Sequence, residues 1–155
     1  MPQGYIRTGF LLAALSWAGL IFYLSSQPSI ETPALFPGQD KLFHLIAFGI
    51  LGFLAMGAPQ ASHEGYPTRQ VWQVVLAVML YGILDEFHQY FVPGRSADVY
   101  DVLADAIGGL LGVWAMYWLV RVVARRSPIK HIAPPYLQIL RPVPAVIAEH
   151  KKKRV

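Results

Sequence analysis

The chain has 155 residues, of which 55% are hydrophobic and 14% charged, with a formal net charge of +4 and no cysteine. Soluble domains carry about 25% charged residues, and a chain this short has too little interior to hide so much apolar surface. A soluble globule is excluded and an integral membrane protein implied, while the missing cysteines exclude disulfides, thiolate metal ligands and a cysteine nucleophile.

About twenty apolar residues cross a bilayer, and four stretches reach that length: Arg7 to Gln27, Asp40 to Ala58, Arg69 to Val92, and Asp98 to Val123. The first has one basic residue ahead of a long apolar run and no small-x-small cleavage site, so it reads as a retained helix rather than a signal peptide. Pro28, Pro33 and Pro37 break the chain after it, Pro59 and Pro67 after the second stretch, and a Pro-Gly-Arg turn at 93–95 after the third. The shortness of that turn predicts a tight hairpin between the third and fourth helices. No internal repeat is present.

The expected fold is all-α, an integral membrane bundle of four transmembrane helices with both termini cytoplasmic. The orientation follows from the basic residues. Arg7, Arg69, Arg121, Arg125, Arg126 and the terminal KKKR run fall on one side, while the other side has only Lys41 and Arg95, each next to acids. Residues 1–126 then form the transmembrane domain, and 127–155 a Pro-rich, basic cytoplasmic tail. The lysines of the tail either attract anionic lipid or are simply solvated.

In this topology the ionisable residues collect at the outer end. Asp40, Lys41 and His44 open the second helix, Asp85, Glu86, His88 and Gln89 close the third, and Asp98, Asp101 and Asp105 open the fourth. Residues three and four apart share a helix face, so each set forms a stripe, and three stripes at one depth cannot all face lipid. The expectation is one outward-facing pocket among the second, third and fourth helices, with Arg95 over its mouth. Gly108 and Gly112, four apart, allow close helix packing.

The motifs DKLFH (40–44), DEFHQ (85–89), PGRSADVYD (93–101) and D-x-x-G-x-x-x-G (105–112) together resemble the VanZ-like family of small bacterial membrane proteins, named for a teicoplanin-resistance protein. The resemblance covers about residues 8–120 and carries onto Asp40, Lys41, His44, Glu86, Gln89, Arg95, Asp98 and Asp101. Many members have Asn at the position of Asp105, and Asp85 and His88 are less typical of the pattern. It implies a multi-pass protein of the bacterial inner membrane with a role in teicoplanin (glycopeptide) resistance or cell-envelope physiology, and no established reaction.

Three readings of the polar groups follow. In the structural one they pair across helices, with Lys41 and Arg95 neutralising two acids, Gln89 bridging a carboxylate, and Asp40 and Asp98 favoured at helix starts by the dipole. In the enzymatic one Glu86, Asp101 and His44 serve as general base, orienting acid and second proton carrier. Arg95, Lys41, Asp40, Gln89, Asp98 and Asp105 would then bind the head group of a membrane lipid or a lipid-linked cell-wall precursor. A variant has His44 and two or three carboxylates holding Mg, Mn or Zn, although no ligand spacing matches a strong metal motif. In the third reading the pocket binds a ligand, such as a glycopeptide, or relays protons; no charged group in the inner half completes a path for transport. No nucleic-acid partner is expected.

Overall fold

The computed structural model describes residues 3–28, 35–59 and 66–126, and the expected tail at 127–155 lies outside them. The described residues form four helices and no strand: α1 (Gln3–Ser25), α2 (Gln39–Gly57), α3 (Thr68–Gln89) and α4 (Val99–Arg126). Each is long and apolar enough to cross a membrane, as the four apolar stretches require. Their outward surfaces carry large apolar side chains such as Leu12, Leu15, Trp72, Leu76, Trp114 and Trp118. Apolarity all round is what a helix in lipid shows.

The helix ends follow local chemistry. α2 starts after Gly38, at φ 80°, and carries Asp40 in its first turn. α3 starts after Pro67, at φ −58°, a residue whose fixed φ suits a helix start. It stops at Gln89 rather than running to Val92, because Arg95 N–H closes a turn onto Val92 O at 3.1 Å with Gly94 at φ 76°. Proline then glycine at the two central positions is the composition such a turn demands. Asp98 caps α4: its Oδ1 accepts the Tyr100 N–H at 2.9 Å.

Direction alternates along the bundle, and Arg7 at the start of α1 donates to Ala58 O at the end of α2 at 3.1 Å. Near that end the core consists of Met56, Tyr66, Val75, Val113 and Met116, and further along of Ile21, Phe48, Leu51 and Val78. The other end, where α1 and α3 finish and α2 and α4 begin, holds the buried polar residues Ser25, Asp85, Glu86, Gln89, Asp101 and Asp105.

The most extensive contact is between α2 and α4, and its cause is glycine. A Cβ on Gly52 would strike the Gly109 carbonyl, and one on Gly112 the Gly49 carbonyl. Bare backbones therefore meet, the route to van der Waals packing that membrane helices favour. α1 docks more lightly. It is held by its Trp17 indole, which donates to Ala47 O at 2.9 Å, and by Tyr81 OH, which donates to Ala18 O at 2.6 Å.

Candidate functional site

The polar residues sort into three connected groups. Lys41 is the centre of the first. Its Nζ lies 2.9 Å from Asp40 Oδ2, 2.7 Å from Asp98 Oδ2 and 3.1 Å from Asp101 Oδ1. An ammonium has three N–H donors, so Lys41 is saturated by three carboxylates from two helices. The ammonium beside Asp98 holds that carboxyl below the usual carboxylate range. Because Asp98 also caps α4, Lys41 pins the start of α4 against the start of α2.

The second group lies deeper. His44 Nδ1 is 2.9 Å from Asp105 Oδ1 and 3.8 Å from Glu86 Oε1. Glu86 Oε2 accepts the backbone N–H of Asp98 at 2.9 Å, reaching from α3 to the start of α4. Asp105 approaches α3 at Gly82, where a Cβ would sit 2.9 Å from the Asp105 Cβ. That glycine makes the room Asp105 needs.

The third group faces α1. Asp85 Oδ2 accepts from Ser25 Oγ at 2.8 Å and from Gln89 Nε2 at 3.0 Å. Arg95 donates from Nη1 to Gln89 Oε1 at 3.2 Å, and from Nε and Nη2 to the carbonyls of Gln27 and Leu24, both at 3.1 Å. Those carbonyls close the end of α1, where a cation is favoured. Arg95 therefore has no carboxylate partner among the described residues, so the expected neutralisation of an acid by Arg95 is not found among them. His88 turns away from the cluster, with Nε2 3.0 Å from Ser26 Oγ and its ring 4.6 Å from that of Phe22.

A cavity of about 440 Å³ opens among these groups. Asp40, His44, Asp85, Gln89 and Arg95 line its polar end, and Trp17, Ile21, Leu24, Phe43, Ile46 and Ile50 its apolar length. It lies between α1, α2 and α3, not among the second, third and fourth helices as expected. The glycine contact leaves no polar space between α2 and α4, so Asp101 and Asp105 enter their interface as bonded partners, while the lighter packing of α1 leaves the gap.

Of the residues expected to be catalytic, His44 and Glu86 come together and Asp101 stands in the Lys41 group. Of the expected binding residues, Asp40, Gln89 and Arg95 line the cavity, and Lys41, Asp98 and Asp105 sit beside it in the paired network. Ser25 escapes sequence reasoning, since a serine at the end of an apolar span has no distinguishing pattern. Asp85, less typical of the family pattern, is 3% exposed and central. Among the described residues, three buried carboxylate oxygens have no hydrogen-bond partner: Asp85 Oδ1, Glu86 Oε1 and Asp105 Oδ2.

The VanZ/LLP1 family model matches residues 10–121, most of the chain and every residue of the cluster. The chain is also similar to a prepilin leader peptidase/N-methyltransferase of Dickeya chrysanthemi, at 29% identity over 120 residues. That match takes in 76% of this chain and 38% of the relative, so the chain spans well under half of the relative's length. No solved structure matches.

Proposed function

The chain belongs to the VanZ/LLP1 family, and from that premise we propose that this multi-pass membrane protein binds an anionic lipid-linked head group in the bacterial inner membrane. Its role is then in cell-envelope physiology, glycopeptide resistance included. The observation that carries the reading is the contrast between the two cations of the cluster. Lys41 is matched by three carboxylates, while Arg95, half-buried at the cavity, donates among the described residues only to carbonyl oxygens. An arginine has five N–H donors in a planar fork suited to phosphate or carboxylate. The apolar length of the cavity suits the chain of a lipid whose phosphate meets that fork.

A second reading, in which the bound molecule is also cleaved or modified, is favoured by the unpartnered oxygens of Asp85 and Glu86. Glu86 acts as general base and His44 carries the proton, as the 3.8 Å between them allows. The prepilin leader peptidase relative suggests a membrane peptide as an alternative substrate class.

The test is native mass spectrometry of the protein released from a bacterial lipid extract. Wild type is expected to retain phosphate-bearing lipids over neutral ones, and Arg95→Gln to lose that preference while still folding, with a lowered thermal stability because its bonds to the end of α1 are lost. Equal retention of neutral and anionic lipid by wild type would overturn the reading. Teicoplanin sensitivity of a host carrying wild type or Arg95→Gln connects the binding to the resistance implied by the family.

A further inference from the structure

We propose that His44, Asp85 and Glu86 form a divalent-cation site at the base of the cavity. One ligand atom from each lies within 4.8 Å of the other two. Ligand atoms around a single ion at ~2.0–2.2 Å stand about 3–4 Å apart, so small side-chain rotations close the set. An acidic cluster alone would not make a site. Here Asp85 and Glu86 are each only 3% exposed, and each presents a buried oxygen, Asp85 Oδ1 and Glu86 Oε1, that no donor among the described residues satisfies.

The anchoring of the other atoms points the same way. Asp85 Oδ2 is held by Ser25 and Gln89, Glu86 Oε2 by the Asp98 N–H, and the His44 ring by Asp105. Asp85 and Glu86 thus each have one oxygen fixed by a neighbour and the other without a partner among the described residues, and His44, held at Nδ1, keeps Nε2 as the nitrogen an ion would take. Metal ligands are oriented by such outer partners. Charge balance favours a cation there as well. Asp85, Glu86 and Asp105 are three buried carboxylates facing one imidazole, with Lys41 committed elsewhere and Arg95 reaching Asp85 only through Gln89. Uncompensated buried charge is costly, and a +2 ion offsets most of it.

Two carboxylate oxygens with one imidazole suit Mn²⁺ or Zn²⁺ better than soft ions. His44 and Asp85 both line the cavity, which supplies an entry path and leaves the remaining coordination positions facing it. The site stands on these residues alone, and only its use in gripping a head-group phosphate rests on the lipid reading.

The experiment is Mn²⁺ titration of the full chain in neutral detergent without added lipid, followed by pulsed electron paramagnetic resonance. One saturable Mn²⁺ per chain is expected, with hyperfine coupling to an imidazole nitrogen that His44→Gln removes. Ser25→Ala, which alters an anchor and no ligand, is expected to weaken binding about 10–100-fold and stays informative if His44→Gln fails to fold. No saturable binding of Mn²⁺ or Zn²⁺ by wild type, or bound Mn²⁺ without nitrogen coupling, would overturn the proposal. Because no lipid is present, either result is independent of whether anionic lipid binds at Arg95.

Discussion

The guanidinium of Arg95 donates to the side-chain oxygen of Gln89 at 3.2 Å. A neutral amide thus stands where a carboxylate would be the ordinary partner. Gln89 passes the polarisation on, since its Nε2 donates to Asp85 at 3.0 Å. Among the described residues the amide leaves the positive charge at the cavity without a carboxylate partner while still fixing the guanidinium plane.

Gln89→Glu turns that contact into an ion pair and sets a second carboxylate against Asp85. Retention of anionic lipid is expected to fall by about tenfold or more, since charge-assisted bonds are roughly twice as strong as neutral ones and the new carboxylate competes for the same fork. Arg95→Lys is expected to recover only part of the binding, because one ammonium cannot serve both the α1 carbonyls and a phosphate. Lipid competition measured by native mass spectrometry checks both. Unchanged retention in Gln89→Glu would mean that the head group does not meet Arg95.

The glycine contact between α2 and α4 makes a separate prediction. Gly52→Ala and Gly112→Ala each drive a methyl group into a carbonyl of the facing helix, and overpacking of this kind costs about 1–3 kcal/mol. Gly19 has open space within 4 Å of the position a methyl group would take, so Gly19→Ala is expected to be neutral or to gain up to ~1 kcal/mol from the better helix former. Thermal unfolding in detergent separates the two classes. A Gly112→Ala protein as stable as Gly19→Ala would contradict the bare-backbone interface.

How far the sequence reveals this arrangement depends on the range of each interaction. The four spans and the gathering of ionisable groups at one end are legible because apolar length and i, i+3, i+4 spacing are local properties. Which partner each group takes is not local. That Lys41 would collect Asp40, Asp98 and Asp101 depends on α2 and α4 touching, and this in turn depends on Gly49 and Gly52 meeting Gly109 and Gly112. Spacing alone singles out glycines on the fourth helix and leaves those of the second unmarked. Arg95 is placed by its sequence neighbours to neutralise an acid, yet the end of α1 arrives beside it and supplies carbonyls instead. The same placement of α1, invisible to local pattern, brings Ser25 to Asp85 and moves the cavity to the α1 side of the bundle.

Orientation can be tested directly because the chain has no cysteine. By the distribution of basic residues, the 93–97 turn is expected outside and the start of α3 on the cytoplasmic side. A membrane-impermeant maleimide is expected to label exposed Ser96→Cys in intact cells and exposed Thr68→Cys only after permeabilisation. The reverse pattern would invert the bundle and turn the cavity mouth towards the cytoplasm.

The His44–Asp105 pair bears on whether the deep group holds the helices together as well as shaping a site. His44→Ala leaves Asp105, 1% exposed, with no hydrogen-bond partner among the described residues, and stranding a buried charge costs about 3–5 kcal/mol. Asp105→Asn is expected to be far milder. It keeps an oxygen for His44 and removes a charge, and the atom it replaces, Oδ2, accepts no bond that could be lost. Combining His44→Ala with Asp105→Asn should therefore cost less than the sum of the single changes, with a coupling of about 1–3 kcal/mol. Thermal or denaturant unfolding of the four proteins in the same detergent yields that number. Strict additivity would mean that the 2.9 Å contact contributes nothing to the fold, and His44 would then be held in place by its neighbours on α2 and α3 alone.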